Sequence, residues 1–290
     1  MTKTTSIIDI GSNTIVLAIY EIHDKNLKLI ENMSQAKHLV GYIENGKMQQ
    51  EGIEAAYETV KEYMDILSLR NIDDVHADIT ECGRNISNQE ELIHAVERAG
   101  CKDVRILTGH EEAMSDYYGA ALSSSLNTGI LIDIGGGSTE FVSFENKKAT
   151  AAHSIPLGCV RLKQMPYTPD TSAPSIKDMR VHYPMMKDCT DAIGIGGTIR
   201  YTTYAMQKLY GIGESFTIEQ AKDFYKRLQD EETEARNVLY SIADPDRASV
   251  ILPGMGMLIA AMDSFNIKVI HKSECGVREG YIAHYIHHLV

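Results

Sequence analysis

The string Ile-Asp-Ile-Gly occurs twice, at Ile8-Asp9-Ile10-Gly11 and at Ile132-Asp133-Ile134-Gly135, 124 residues apart. Each copy closes an apolar, β-branched run and enters a polar or glycine turn that leads into a second apolar run. Such a pattern reads as strand, loop, strand. In register, Thr14 and Ser138 take matching places three residues after the shared glycine. A repeat this long points to a duplicated domain, because solenoid repeats run to only ~20–50 residues. The length of 290 residues suits two domains, at ~150 residues each.

The second loop, Gly135-Gly136-Gly137-Ser138, constrains chemistry as well as fold. Three glycines let the backbone adopt φ > 0 and turn several N–H groups toward one point. A concave row of amides is an anion nest suited to phosphate. Asp133 and Glu140 flank it and would repel a phosphate unless a cation stood between. Mg²⁺ fits that place, since it takes few carboxylates and keeps water and phosphate oxygens as its other ligands. The plainer reading is a glycine hairpin with two surface carboxylates. The loop lacks Gly-Lys-Ser/Thr, which excludes a Walker A loop. A strand follows it rather than a helix, so the Rossmann fingerprint also fails.

A net charge of −12 argues against nucleic-acid polymers and membrane surfaces as partners. No apolar run is long enough to span a bilayer, and the start lacks a secretory pattern. Cys82, Cys101, Cys159, Cys189 and Cys275 are odd in number and include no Cys-x-x-Cys. Neither a disulfide framework nor a zinc site is indicated, and a cytoplasmic location is expected.

Strands are expected over 6–20, 27–33, 75–80 and 104–107 in the first half, with 35–47 ambiguous. Helices are expected over 50–69, after a cap at Asn88, and from the stretch opening at Thr108 to about Ser123. Residues 124–128 read as a hinge, 81–88 as a polar turn and 166–175 as a surface loop. Helices are expected after Gly196 and over 217–229, 233–240, 249–264 and 278–288, with strands at 192–194 and 267–273. Strands followed by helices, twice, give α/β domains with mixed sheets. Met255, Met257 and Met262 read as core fillers. His284 and His288 have metal-ligand spacing, with exposed terminal histidines the commoner reading.

Five motifs in order carry a resemblance. They are Asp9-Ile10-Gly11-Ser12-Asn13-Thr14, Thr80-Glu81-Cys82-Gly83-Arg84-Asn85-Ile86-Ser87-Asn88, Thr108-Gly109-His110-Glu111-Glu112-Ala113, Asp133 to Glu140, and Gly196-Gly197-Thr198-Ile199-Arg200. With them the chain resembles the exopolyphosphatase/guanosine pentaphosphate phosphohydrolase (Ppx/GppA) phosphatase family, in a short form without the C-terminal HD-type region. The resemblance implies two actin-like domains of the ribonuclease H-like, sugar kinase/Hsp70/actin group, with an active site in the cleft. Domain I would cover 1–124, with a closing helix at 278–290 packing back on it, and domain II 125–277.

The resemblance assigns Glu112 as the catalytic carboxylate that orients and deprotonates the attacking water. Glu111 is set second, because the motif places the active carboxylate directly before alanine. Asp133 and Glu140, with Asp9 as the corresponding acid of the first loop, would hold Mg²⁺ or Mn²⁺. Gly11, Ser12, Asn13, Thr14, Gly135, Gly136, Gly137 and Ser138 would cradle phosphates, and Gly196, Gly197 and Thr198 would add a helix N-terminus. Arg84 would bind substrate phosphate, with a solvated loop arginine as its plainer reading.

The chain departs from the family at Val16, where an arginine is usual, and at Lys37-His38-Leu39-Val40-Gly41-Tyr42, where a basic glycine-rich run is usual. Both departures remove phosphate contacts from the first domain. The expected activity is release of terminal phosphate from polyphosphate, short chains above all. Guanosine pentaphosphate is the second substrate considered. A kinase or ATPase of the same fold group and a non-hydrolytic alarmone sensor are the other classes. A homodimer is left open.

Overall fold

The computed structural model describes residues 2–24, 26–165 and 169–290. The chain divides into two compact units, residues 1–112 with 281–290, and residues 113–280. Both changes of unit fall inside helical segments. The sequence reading had placed them at 124/125 and 277/278.

In the first unit, β1 (Thr2–Ile10), β2 (Thr14–His23) and β3 (Asn26–Ala36) form an antiparallel meander. A small hairpin of β4 (Ile43–Glu44) and β5 (Lys47–Met48) leads into α1 (Gln50–Leu69), β6 (Val75–Ile79) and the single turn α2 (Glu81–Arg84). α3 (Gln89–Arg98), β7 (Asp103–Ile106) and the start of α4 (Gly109–Ala121) follow. The sheet order is β3-β2-β1-β6-β7, with β6 and β7 parallel to β1. Strand alternation sends Ile8, Ile10, Ile15, Leu17 and Ile19 into one core with Ile53, Val60 and Leu67 of α1 and Leu92 and Val96 of α3. Asp9, between Ile8 and Ile10, therefore lies on the opposite face of the sheet.

The second unit repeats that plan. β8 (Gly129–Ile134), β9 (Thr139–Glu145) and β10 (Lys148–Ile155) form the meander. α5 (Cys159–Lys163), α6 (Pro169–His182), β11 (Asp191–Ile195) and α7 (Gly196–Tyr210) follow. Next come β12 (Ser215–Thr217), α8 (Ile218–Gln229), α9 (Thr233–Tyr240), α10 (Pro245–Ser264), β13 (Val269–Lys272) and the short α11 (Val277–Gly280). The order is β10-β9-β8-β11-β13-β12, with β11 parallel to β8 and to β13. Ile130, Ile132 and Ile134 face the large helical core with Met255, Met257 and Met262. Leu131 turns the other way, onto Ala113, Tyr117 and Ala120 of α4. An antiparallel meander extended by parallel strands, present twice, is the mixed-sheet α/β plan of the actin-like fold.

Several local expectations are corrected. The ambiguous 35–47 stretch is a 3₁₀ turn, Leu39–Tyr42, followed by the β4–β5 hairpin. Asn45 and Gly46 both have left-handed φ, 49° and 73°, as a two-residue type I′ hairpin requires. Residues 81–84 are helical, and Glu81 and Cys82 are buried. Asn88 stands at the N-cap of α3, yet its side chain does not cap. Its amide instead brackets Met48, accepting from Met48 N and donating to Met48 O at 3.0 Å each. Of the expected loop 166–175, residues 166–168 lie outside the described residues, and the rest opens α6. The helix carries Pro174 in its interior, and Ile176 and Met179 bury its inner face. α10 starts earlier than expected, because Asp244 Oδ1 accepts from Arg247 N at 2.9 Å and Pro245 fits the first turn. The closing helix is not one α-helix. Beyond Gly280 the turn Tyr281–Ile286 widens to π spacing, with His287 N donating to Ile282 O at 2.9 Å.

Among the described residues no helix is long and apolar enough to cross a membrane. All five cysteines are free thiols.

Candidate active site

In the first unit, β1 delivers Asp9 to the mouth of the Gly11-Ser12-Asn13 loop. Gly11 N donates to Thr14 O at 3.0 Å and closes the turn. The carbonyls of this loop point away from its mouth. Ser12 O accepts from Val40 N at 3.1 Å, and Asn13 O accepts from Lys37 N and His38 N at 3.0 Å each. The side chains are also anchored. Ser12 Oγ donates to the buried Glu81 Oε2 at 3.0 Å, and Asn13 Oδ1 lies 2.7 Å from His38 Nδ1. Among the described residues, the amides of Ser12 and Asn13 donate to no protein group. Amides left open in a tight turn are the raw material of an anion nest.

Beside this loop, α2 and α4 bring Arg84 and Glu112 together. Arg84 Nη1 donates to Leu107 O at 3.1 Å and pairs with Glu112 Oε2. Both side chains are largely buried, 14% and 12% exposed. The neighbouring Glu111 has a different occupation. Its Oε2 accepts from Thr108 N and Thr108 Oγ1 at 2.9 Å each, while its own N–H donates to Thr108 Oγ1 at 3.1 Å. That reciprocal pair is a capping box for α4. Arg105 Nη2 takes the other oxygen of Glu111 at 3.0 Å. So Glu111 holds the helix start and Glu112 faces the arginine. The Cys82 thiol lies among these groups. Burial pushes its pKa up, and the facing carboxylates of Glu81, Asp9 and Glu112 push it further, against Arg84.

In the second unit, Asp133 and Glu140 are direct register partners on β8 and β9. Gly135 N donates to Ser138 O at 3.0 Å. Gly135 O and Gly136 O accept from Cys159 N and Val160 N at 2.9 Å each, the first amides of α5. Among the described residues, the amides of Gly136 and Gly137 also donate to no protein group. The three glycines do not serve positive φ, contrary to the sequence expectation: left-handed glycines are Gly46, Gly100, Gly196 and Gly211. The need here is close approach. A Cβ on Gly158 would run into the backbone of Gly136 and Gly137. Ser138 and Glu140 are buried, and Glu140 Oε1 accepts from Ser154 Oγ at 2.6 Å.

Gly196 and Gly197 open α7 directly after β11. Gly196 has φ +85°, and its missing side chain makes room for Asp133 Oδ1. Thr198 is buried with its hydroxyl turned onto Gly254 of α10. Of that motif, the loop-facing part is the glycine backbone.

Asp133 and Glu140 give hard carboxylate oxygens from two adjacent strands, the donor type and number that suit Mg²⁺ with its remaining waters. Glu140 is buried and accepts from Ser154 Oγ, which fixes its carboxylate.

Three side chains were passed over in the sequence. Glu81 carries the first loop from below through Ser12. Asp78 is buried on β6 as the register partner of Asp9. An acid inside the short strand Val-His-Ala-Asp-Ile was the available signal. Arg247 reaches from α10 to the start of α7. Its Nη1 would lie 2.8 Å from a Cβ on Gly197, and its guanidinium stands 5.7 Å over the Tyr201 ring. No motif surrounds it, so only the fold brings that cation to the glycine pair.

Residues 18–289 match the family described as the Ppx/GppA phosphatase family. A putative exopolyphosphatase of Haemophilus influenzae is 24% identical, covering 95% of this chain and 89% of that protein. A guanosine-5'-triphosphate,3'-diphosphate pyrophosphatase of Pseudoalteromonas atlantica is 23% identical over 95% of this chain, which spans 57% of its length. Among solved structures, the Aquifex aeolicus Ppx/GppA family member superposes with a TM-score of 0.81 at 25% identity, covering 99% of each chain. An exopolyphosphatase from Cytophaga hutchinsonii shares the fold, with a TM-score of 0.84 at 21% identity over 99% of this chain and 98% of that one. Duplicated sheets, matched glycine loops and these likenesses agree that the chain belongs to the Ppx/GppA phosphatase family.

Proposed function

We propose that this protein is a metal-dependent phosphoanhydride hydrolase that releases terminal phosphate from inorganic polyphosphate, short chains above all. The observation that carries the reading is the division of labour between adjacent glutamates. Glu111 is spent on the helix cap and Arg105, while Glu112 is held by Arg84 beside the first loop. In the proposed reaction Glu112 orients a water opposite the leaving oxygen and takes its proton. Arg84 exchanges its carboxylate partner for phosphate oxygens, which a guanidinium binds bidentately. The open amides of Ser12 and Asn13 and of Gly136 and Gly137 receive further phosphate oxygens. Asp133 and Glu140 would hold Mg²⁺ or Mn²⁺, which when bound neutralises charge on the phosphates, and Asp9 is the corresponding acid of the first loop. A cytoplasmic location belongs to this reading.

The short-chain preference rests on the first unit. Val16 is the register partner of Asp9 and is buried, so no cation stands there. The net charge of −12 repels a long polyanion. A basic track gains affinity for each charge it neutralises, with steep salt dependence. The same lack of a track favours guanosine pentaphosphate as the second reading, and one relative carries that substrate in its name.

The test is phosphate release from polyphosphates of graded length, with guanosine pentaphosphate and ATP alongside, before and after chelation. Expected are loss of turnover in chelator and a kcat/KM that stops rising after a few phosphate units with weak salt dependence. Full activity in excess chelator would remove the metal. A steady rise up to very long chains would remove the short-chain preference.

A further inference from the structure

The first unit holds a second cluster of ligating side chains, outside the motifs above. His76 lies on β6 and is mostly buried, its side chain 11% exposed. Its Nδ1 is 2.5 Å from Oδ2 of Asp103, its register partner at the start of β7. Its Nε2 is 3.3 Å from Asp74 Oδ1. The backbone of Asp74 is fixed in turn, its carbonyl accepting from Ser6 N at 2.9 Å. The returning terminal segment then brings His287 Nε2 to 3.2 Å from Asp74 Oδ2. The two imidazoles meet edge to face, with ring centroids 6.4 Å apart. Among the described residues, Asp74, His76 and His287 are the one group of three whose ligand atoms all lie within 4.8 Å of one another.

His287 Nε2 and Asp74 Oδ2 are both buried, and despite their 3.2 Å separation no properly directed hydrogen bond joins them. With His76 Nε2 these ligand atoms all lie within 4.8 Å of one another, close enough for one ion to touch all three. Asp103 on His76 Nδ1 is the support expected of a ligating histidine: a carboxylate takes the other ring N–H, fixes the tautomer and leaves Nε2 as the lone-pair nitrogen.

We infer that Asp74, His76 and His287 form a binding site for one first-row divalent ion of the Zn²⁺ class. Two imidazoles and one carboxylate select such ions over Mg²⁺, which prefers oxygen alone. Three protein ligands leave a fourth position for water. The role is that of a clip. The ion ties the terminal segment to the β6–β7 edge, closing a chain excursion that contains the whole second unit. One competitor is built in: Lys3 Nζ lies 3.2 Å from Asp74 Oδ2 and is 55% exposed. The ion must displace it, and a long, solvated lysine can leave. The i, i+4 pair His284 and His288 is not part of this cluster, and His288 Nδ1 bonds the backbone oxygen of His284 at 2.8 Å.

The test uses full-length protein stripped of metal and then held in excess Mg²⁺, so that carboxylate-only sites stay filled. Co²⁺ is titrated in and read by its visible absorption, then displaced by Zn²⁺, with thermal melts alongside. Expected are one equivalent of Co²⁺ with nitrogen-ligand bands, displacement by Zn²⁺, and a higher Tm with Zn²⁺. His287→Gln should weaken binding at least tenfold and cancel the Tm gain. Lys3→Ala should tighten binding by freeing Asp74. Absence of stoichiometric nitrogen ligation in the wild-type spectrum overturns the site without recourse to any variant. So does equal affinity in His287→Gln and wild type, or weaker binding in Lys3→Ala.

Discussion

The two glycine loops share one turn and differ in what supports it. Gly11 N to Thr14 O and Gly135 N to Ser138 O are the same bond at the same 3.0 Å. In both units the third meander strand is followed by a helical turn that ties back the loop, Val40 N to Ser12 O and Val160 N to Gly136 O. The residue before each turn marks the difference. It is His38 in the first unit, left-handed at φ 50°, with its ring on Asn13. It is Gly158 in the second, with its α-carbon against the Gly136–Gly137 backbone. The first loop therefore adds side-chain anchors to its backbone bonds, Ser12 on Glu81 and Asn13 by His38. In the second the glycines bring backbone directly against backbone. One short string specifies a turn, and two unrelated sets of neighbours keep it in place.

If that contrast is functional, catalytic rate depends on the first unit and the bare backbone of the second loop serves binding. Glu112→Gln should lower kcat by about 10²–10⁴-fold, the size of a general-base contribution, with KM little changed. Glu111→Gln, in contrast, should cost about 0.5–2 kcal/mol of stability through the weakened cap and leave kcat within a few-fold. Steady-state kinetics and denaturant melts on both variants decide it, and equal losses of rate would dissolve the distinction.

A smaller effect isolates the second loop. Gly158→Ala drives a methyl into backbone atoms that cannot swing aside, and should destabilise by about 3 kcal/mol with a raised KM. Urea unfolding of this variant close to wild type would mean that the loop has slack and that the backbone contact is incidental. The smallest effect isolates the first loop. Ser12→Ala removes one donor from a buried carboxylate and should cost about 1–2 kcal/mol. A melt unchanged within a few tenths would show that Glu81 finds another donor and that side-chain support is dispensable there.

The duplicated α/β plan was legible because Ile-Asp-Ile-Gly fixes strand, turn and facing at once, and β8 alternation sorts Ile130, Ile132 and Ile134 from Leu131 as period two demands. α1 was legible to the residue, since its apolar face runs unbroken from Ile53 to Leu67. The start of α6 was not, because early prolines give the local signal of a loop while burial of Ile176 is decided by the sheet. The meaning of the three glycines was also misread. Sequence shows permissiveness, but only the fold shows whether it serves φ or close approach. Glu81 and Arg247 were invisible as site residues for a related reason. Their positions follow from Ser12 and Gly197, which lie 69 and 50 residues away in the chain.

The first unit is discontinuous, which bears on the order in which a ribosome delivers it. Strands β1 to β7 and helices α1 and α3 emerge together and contain their own core. Residues 281–290, which belong to that unit, emerge only after residues 113–280 have been made. During synthesis His76, Asp74 and Asp103 are thus assembled early, with the place of His287 open for the time needed to make the second unit. At ~5–20 residues per second that wait lasts on the order of ten seconds or more. For that period the nascent first unit holds Asp74, His76 and Asp103 at the start of β6 and β7 without His287, which only the segment that widens into a π turn supplies.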